Sequence, residues 1–236
     1  MAAFDILKLN TGLAIVIIMG RDFGFSAGER AMLSKLDSPA KIQDYVDGLK
    51  YNLEKKGETY YSPRNVMAHN EANCLEGAIF AAAALRFQGF PPLLIDLVAS
   101  KDDSDHVLAV FRRRGRWGAI GKSKYTFFTY REPVYRTIRE LALSYFDLYY
   151  NVFGKKTMRS FSKAPLNLSR FDAKSWMTRE KGIGFIATFL DRIPHEKIVA
   201  RGMARNFRSV TPLDREAGEL WIRRHGILGK MKKKGY

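Results

Sequence analysis

Asn73-Cys74-Leu75-Glu76-Gly77-Ala78-Ile79-Phe80-Ala81-Ala82-Ala83-Ala84-Leu85-Arg86-Phe87 is the stretch whose reading decides the fold. The alanine-rich run from Ala78 to Leu85 is strongly helix-forming, and its small side chains let neighbours approach closely. Gly89 ends the helix, and Pro91-Pro92 forbids its continuation. The single cysteine of the chain therefore stands at the amino end of a closely packed helix.

Downstream, Leu93-Leu94-Ile95-Asp96-Leu97-Val98 is too short for a helix and is bounded by turn residues, so it reads as a buried strand. After the polar loop 101–105, His106 to Arg112 alternates as a second strand; Gly115 marks a turn, and Arg116 to Gly121 begins a third. Upstream, Ser38 caps a short helix with Pro39 at its first position and apolar residues at helical spacing to Leu49. Residues 54–64, polar and holding Gly57 and Pro63, read as a connecting loop.

Further along, Val134, Ile138, Leu141, Leu143, Tyr145 and Leu148 predict a helical stretch from Glu132 to near Gly154. Residues 174–226 read as mixed but mainly helical, broken at Pro194 and Pro212. The expected class is α+β: N-terminal helices on an antiparallel sheet, then a basic, mainly helical C-terminal extension. The expected divisions are 1–35, of unclear role, a core over 36–154, and the extension over 155–236.

With 236 residues, 46% of them hydrophobic, the chain can bury a substantial core. Its net charge of +16 is uneven: from Asn151 onward twenty Lys and Arg stand against seven Asp and Glu, leaving an excess of three for the first 150 residues. Lys230, Lys232, Lys233 and Lys234, with Arg201, Arg205, Arg208, Arg223 and Arg224, form a surface that attracts polyanions such as nucleic acid or acidic protein, or is simply solubilising. No zinc-finger spacing, RNA-binding aromatic signature or helix-turn-helix pattern accompanies it. The apolar run Leu13 to Met19 is far short of the roughly 20 residues of a spanning helix. Asp5 and Lys8 before it, and the lack of a small-residue cleavage site before Arg21, make it a poor signal peptide. One cysteine excludes an internal disulfide framework and a multi-cysteine zinc site, and is compatible with a reducing, cytoplasmic setting. His69, His195 and His225 have no partner at metal-ligand spacing, so neither metal nor cofactor is expected.

Cys74 opening a small-residue helix, Gly89-Phe90-Pro91 before a strand, Asp105-His106-Val107 opening the next, and Gly115-Arg116-Trp117 in a hairpin together resemble the transglutaminase-like superfamily of papain-like folds. The match covers about residues 38–125. Tyr130-Arg131-Glu132-Pro133-Val134-Tyr135-Arg136 and the C-terminal third look like a bacterial branch of uncharacterised members. The resemblance implies a cysteine facing a histidine on a neighbouring strand, and hence a cysteine peptidase or amidase, or a transglutaminase-type acyltransferase. It also implies an aspartate on the strand after the hairpin tryptophan. Here Gly121 occupies that place, and the stretch Trp117 to Ser123 holds no carboxylate.

The chemistry supports the pair independently. A thiol at a helix amino end feels the positive end of the dipole, and a nearby imidazole takes its proton, so a thiolate is expected near neutral pH. Such a nucleophile attacks a peptide, amide or ester carbonyl and passes the acyl group to an amine or water. The Cys74 N–H, with Asn70 or Asn73, is a candidate oxyanion donor, and Asp147, Asn151 or Ser123 are candidate orienters of His106. Cys74 also reads as a small buried hydrophobe, and the missing aspartate suits a degenerate binding module.

Overall fold

The computed structural model describes residues 22–228 apart from Lys56. The apolar run Leu13 to Met19 and the lysines from Lys230 onward lie outside them. Among the described residues four helices come first, each opened by a side-chain cap: α1 (Ala27–Lys35) by Ser26, α2 (Pro39–Gly48) by Ser38, α3 (Pro63–His69) by Ser62, and α4 (Cys74–Phe87) by Asn73. Each cap oxygen accepts a backbone N–H that the first helical turn cannot satisfy internally. Two-residue strands β1 (Lys50–Tyr51) and β2 (Glu71–Ala72) pair in parallel and bring Tyr51 alongside the start of α4.

The main sheet holds β3 (Leu93–Ala99), β4 (His106–Arg113), β5 (Arg116–Ile120), β6 (Arg131–Tyr135), β7 (Met158–Ser162), β8 (Leu166–Asn167) and β9 (His195–Lys197). Its order is β6-β5-β4-β3-β7-β9, antiparallel throughout, with β8 also paired to β3. The expected α+β character and antiparallel sheet are therefore present. Helix α4 lies on one face of β3 and β4 and is buried continuously from Glu76 to Leu85. Its alanines permit that approach. Gly77 does so at one point in particular, because a Cβ there would fall 2.5 Å from the Lys122 Cβ.

The helix expected from Glu132 to Gly154 breaks up. Residues 131–135 instead form edge strand β6, and only α5 (Ile138–Leu143) and a 3-10 turn at Phe146–Leu148 are helical. Pro133 fits an edge position, where its missing N–H removes no ladder bond. The C-terminal third carries more helix than strand, including 3-10 helices at Leu168–Lys174 and Met203–Asn206, but it also contributes to the main sheet. It adds β7, β8 and β9 to the sheet, with β7 against central β3, and its helices α6 (Gly184–Leu190), α7 (Pro212–Gly218) and α8 (Leu220–Arg224) are short. The charge step near residue 155 follows sequence and not structure. Among the described residues no helix is long and apolar enough to cross a membrane.

Candidate active site

Cys74 is the first residue of α4, where the Asn73 side chain accepts from Glu76 N while the Glu76 carboxylate accepts from Asn73 N. This reciprocal cap fixes the direction in which the chain enters the helix. Glu76 is fully buried, and its carboxylate also accepts from Asn52 Nδ2, Thr59 Oγ1 and Tyr61 N, tying the preceding loop to the same point. The Cys74 thiol is half-buried and faces the start of β4, with Sγ 4.0 Å from the Asp105 carbonyl oxygen. Backbone N–H groups of Val107 and Leu75 also face the sulfur.

His106, between Asp105 and Val107, is buried, and its Nε2 lies 3.1 Å from the Phe128 carbonyl oxygen. A carbonyl can only accept, so Nε2 carries hydrogen and Nδ1 is the unprotonated nitrogen of the neutral ring. Cys74 and His106 line one cavity of about 930 Å³, together with Tyr51, Glu54, Asn73, Asp103, Asp105, Lys124, Tyr149 and Asp191.

Burial acts on both partners against charge. It pushes the Cys74 thiol above its ordinary value and His106 down to about 4. Near neutral pH Cys74 is a thiol and His106 a neutral imidazole, so the thiolate expected from the dipole and the imidazole is outweighed by desolvation. Asp105 is pushed up to about 6, first by desolvation and then by the nearby carboxylates Asp96 and Asp191.

The other candidates fall in separate places. Asn73 lines the cavity, but its side chain is engaged in the cap and in a bond to Glu54. Asn70 is the left-handed C-cap residue of α3 (φ 52°) and is not among the cavity-lining residues. Ser123 reaches the cavity while its Oγ accepts from Tyr125 N. Asp147 is exposed and paired with Lys156. Buried Asn151 braces its own loop, donating to Asp102 and accepting from Phe153 N and Lys155 N. The group held against His106 is instead the Phe128 carbonyl, which sequence reasoning missed because backbone atoms leave no residue signature.

Tyr51 was also missed. Its hydroxyl faces the Cys74 backbone N–H, and its phenol is pushed well above the usual range by burial. Lys124 Nζ lies 5.7 Å from the Tyr51 ring centroid. Only the β1–β2 pairing, between residues about twenty apart in sequence, brings Tyr51 there.

Exposed Arg201, Arg205 and Arg208 belong to the predicted basic surface, while Arg223 pairs with Glu219. His195 pairs with buried Asp96 across the sheet, Nε2 to Oδ2 3.5 Å. No protein-family model matches the chain, and no curated protein matches it.

Proposed function

We propose that this chain is a thiol-dependent acyl-transfer or amide-hydrolysing enzyme with a transglutaminase-like core, in which Cys74 is the nucleophile and His106 its base. The observation that carries the reading is the shared cavity: a thiol at the amino end of the buried helix and a histidine with a fixed tautomer open into the same space. The order of a cysteine-bearing helix followed by antiparallel β3, β4 and β5 supports the proposed core.

In this reading the neutral pair reacts in concert. Sulfur attacks the carbonyl as the thiol proton passes to His106 Nδ1, and the tetrahedral oxyanion forms beside the Cys74 N–H and the Tyr51 hydroxyl. Collapse breaks the bond to the leaving amine, which takes the proton from His106 and leaves a thioester. Water or an amine then gives a proton to His106 and attacks the thioester; collapse breaks the C–S bond, and the departing sulfur takes that proton back from His106, restoring the thiol and neutral imidazole. A neutral imidazole suits this route because its basic nitrogen is already free at neutral pH.

The neutral thiol and imidazole, and the lack among the described residues of a carboxylate bonded to His106, favour a second reading, a degenerate fold that binds its ligand without turnover. An activated ester separates the two. With p-nitrophenyl acetate, the enzyme reading expects an acyl adduct at Cys74 by mass spectrometry, lost in His106→Ala. No adduct in the wild type, or an undiminished one in His106→Ala, would favour the binding module.

A further inference from the structure

The densest cationic feature among the described residues is not in the C-terminal third. It is the tip of the β4–β5 hairpin, where Arg112, Arg113, Arg114 and Arg116 occupy four of five consecutive positions. Arg114 (φ 49°) and Gly115 (φ 78°) form the two-residue loop, and Arg113 stands directly opposite Arg116 in the register. Arg112, Arg113 and Arg114 are exposed and Arg116 partly so, and none of the four is ion-paired among the described residues. The acidic residue of the adjoining strand β6 is Glu132, which is engaged with the Tyr130 hydroxyl.

Two local preferences are violated to place these charges. Like charges directly opposite one another destabilise an antiparallel pair. A left-handed position at the start of such a turn favours Asn, Asp or Gly over Arg. Departures of this kind from local rules concentrate where a surface has a task.

An aromatic row lies on the face of the hairpin that Arg112 shares, opposite the face of Arg113 and Arg116. Arg112 sits over the Trp117 ring, 5.7 Å from its centroid, and Trp117 is paired in turn with Tyr135 on β6. Planar guanidinium forks fit phosphate oxygens bidentately, and neighbouring aromatic faces are what nucleic-acid bases stack on. The loop itself, Arg114-Gly115, carries no apolar side chain to enter a lipid layer.

We infer that the β4–β5 hairpin is a phosphate-binding surface for nucleic acid, with Arg113, Arg114 and Arg116 meeting the backbone on the tip and one face, and Arg112 with Trp117 and Tyr135 on the other. His106 begins β4 and Arg113 ends it. This surface therefore lies about 23 Å along the strand from the cavity, taking about 3.3 Å per residue. It serves to localise the protein, and it does not depend on Cys74 chemistry.

The test is fluorescence anisotropy of a labelled oligothymidylate, with a DNA duplex of equal length alongside, across a salt series. Wild type is compared with Arg113→Gln/Arg114→Gln/Arg116→Gln and with Arg201→Gln/Arg205→Gln/Arg208→Gln. The expected result is salt-dependent binding whose log–log slope falls by about 0.7 per lost contact on the single strand, roughly 2 for the hairpin variant, and stays near wild type for the other. Arg114→Asn suits the turn better and is the fallback if the triple variant misfolds; it is expected to fold normally and to lose about 0.7 of slope. The proposal is overturned if wild type does not bind at low salt, or if the hairpin variants keep the wild-type slope. Hairpin-dependent sedimentation with phosphatidylserine vesicles, without oligonucleotide binding, would overturn it in favour of a membrane.

Discussion

Gly121 lies against the His106 ring: a Cβ on Gly121 would stand 3.4 Å from His106 Nε2 and 3.0 Å from the Phe128 carbonyl oxygen that this nitrogen bonds. The position where the resemblance calls for an aspartate is therefore beside the imidazole in space as well as in sequence order. A backbone carbonyl, brought in by the segment after β5, fills the room a side chain would need.

Gly121→Asp is accordingly expected to fail as a repair. The added Cβ would also come 2.6 Å from Leu108 Cδ2, so the core or the Phe128 segment must shift. Overpacking of this kind costs about 1–3 kcal/mol. Urea unfolding is expected to show that loss, and acyl transfer from p-nitrophenyl acetate is expected to fall below wild type.

Cys74 is expected to alkylate slowly at neutral pH. Desolvation raises its thiol, so the iodoacetamide rate should still be climbing with pH at the reference thiol value of about 8.5 and level off only above it. A plateau already reached by pH 7 would show a thiolate–imidazolium pair and contradict the neutral resting state. With one cysteine in the chain, every modified thiol reports this site.

His106 links stability to pH in a stated direction. Its folded value of about 4 lies below the ordinary 6.5, so the unfolded chain binds the proton first as pH falls. The stability is whole above about pH 6.5 and is lost progressively down to about pH 4, a change of about 3 kcal/mol. His106→Gln should remove that part of the acid sensitivity in thermal scans. Asp105 works oppositely, since its carboxyl at about 6 holds a proton that the unfolded chain has released. Stability from it grows as pH falls through 6, so Asp105→Asn should steepen the acid loss.

Glu76→Gln tests the foundation of the site. The buried carboxylate accepts from Asn52, Thr59, Tyr61 N and Asn73 N at 2.7–3.0 Å, and an amide offers one acceptor oxygen and two donors in its place. The variant is expected to lose about 3 kcal/mol by urea denaturation, with Cys74 alkylation faster as the helix entry loosens.

Several parts of this protein were legible locally. Alanine content and the Gly89 stop give α4; Ser38-Pro39 gives α2; short apolar runs between turn residues give β3, β4 and β5. Each depends on neighbours within a few residues, through propensity, capping and side-chain alternation. Periodicity failed at residues 131–135, where apolar residues compatible with a helix form a strand because β5 has an open edge to pair with. It failed again at β7, whose place beside β3 depends on pairing Leu97 with Phe161 across more than sixty residues.

The same division runs through the candidate site. Composition determined that there is one cysteine, and local sequence placed it at the start of a helix. Tertiary structure alone decided that desolvation outweighs the helix dipole at the thiol, that the Phe128 carbonyl holds His106, and that Tyr51 reaches Cys74. Sequence carries local preference, whereas burial, backbone partners and cross-strand neighbours arise only when distant segments close into one core.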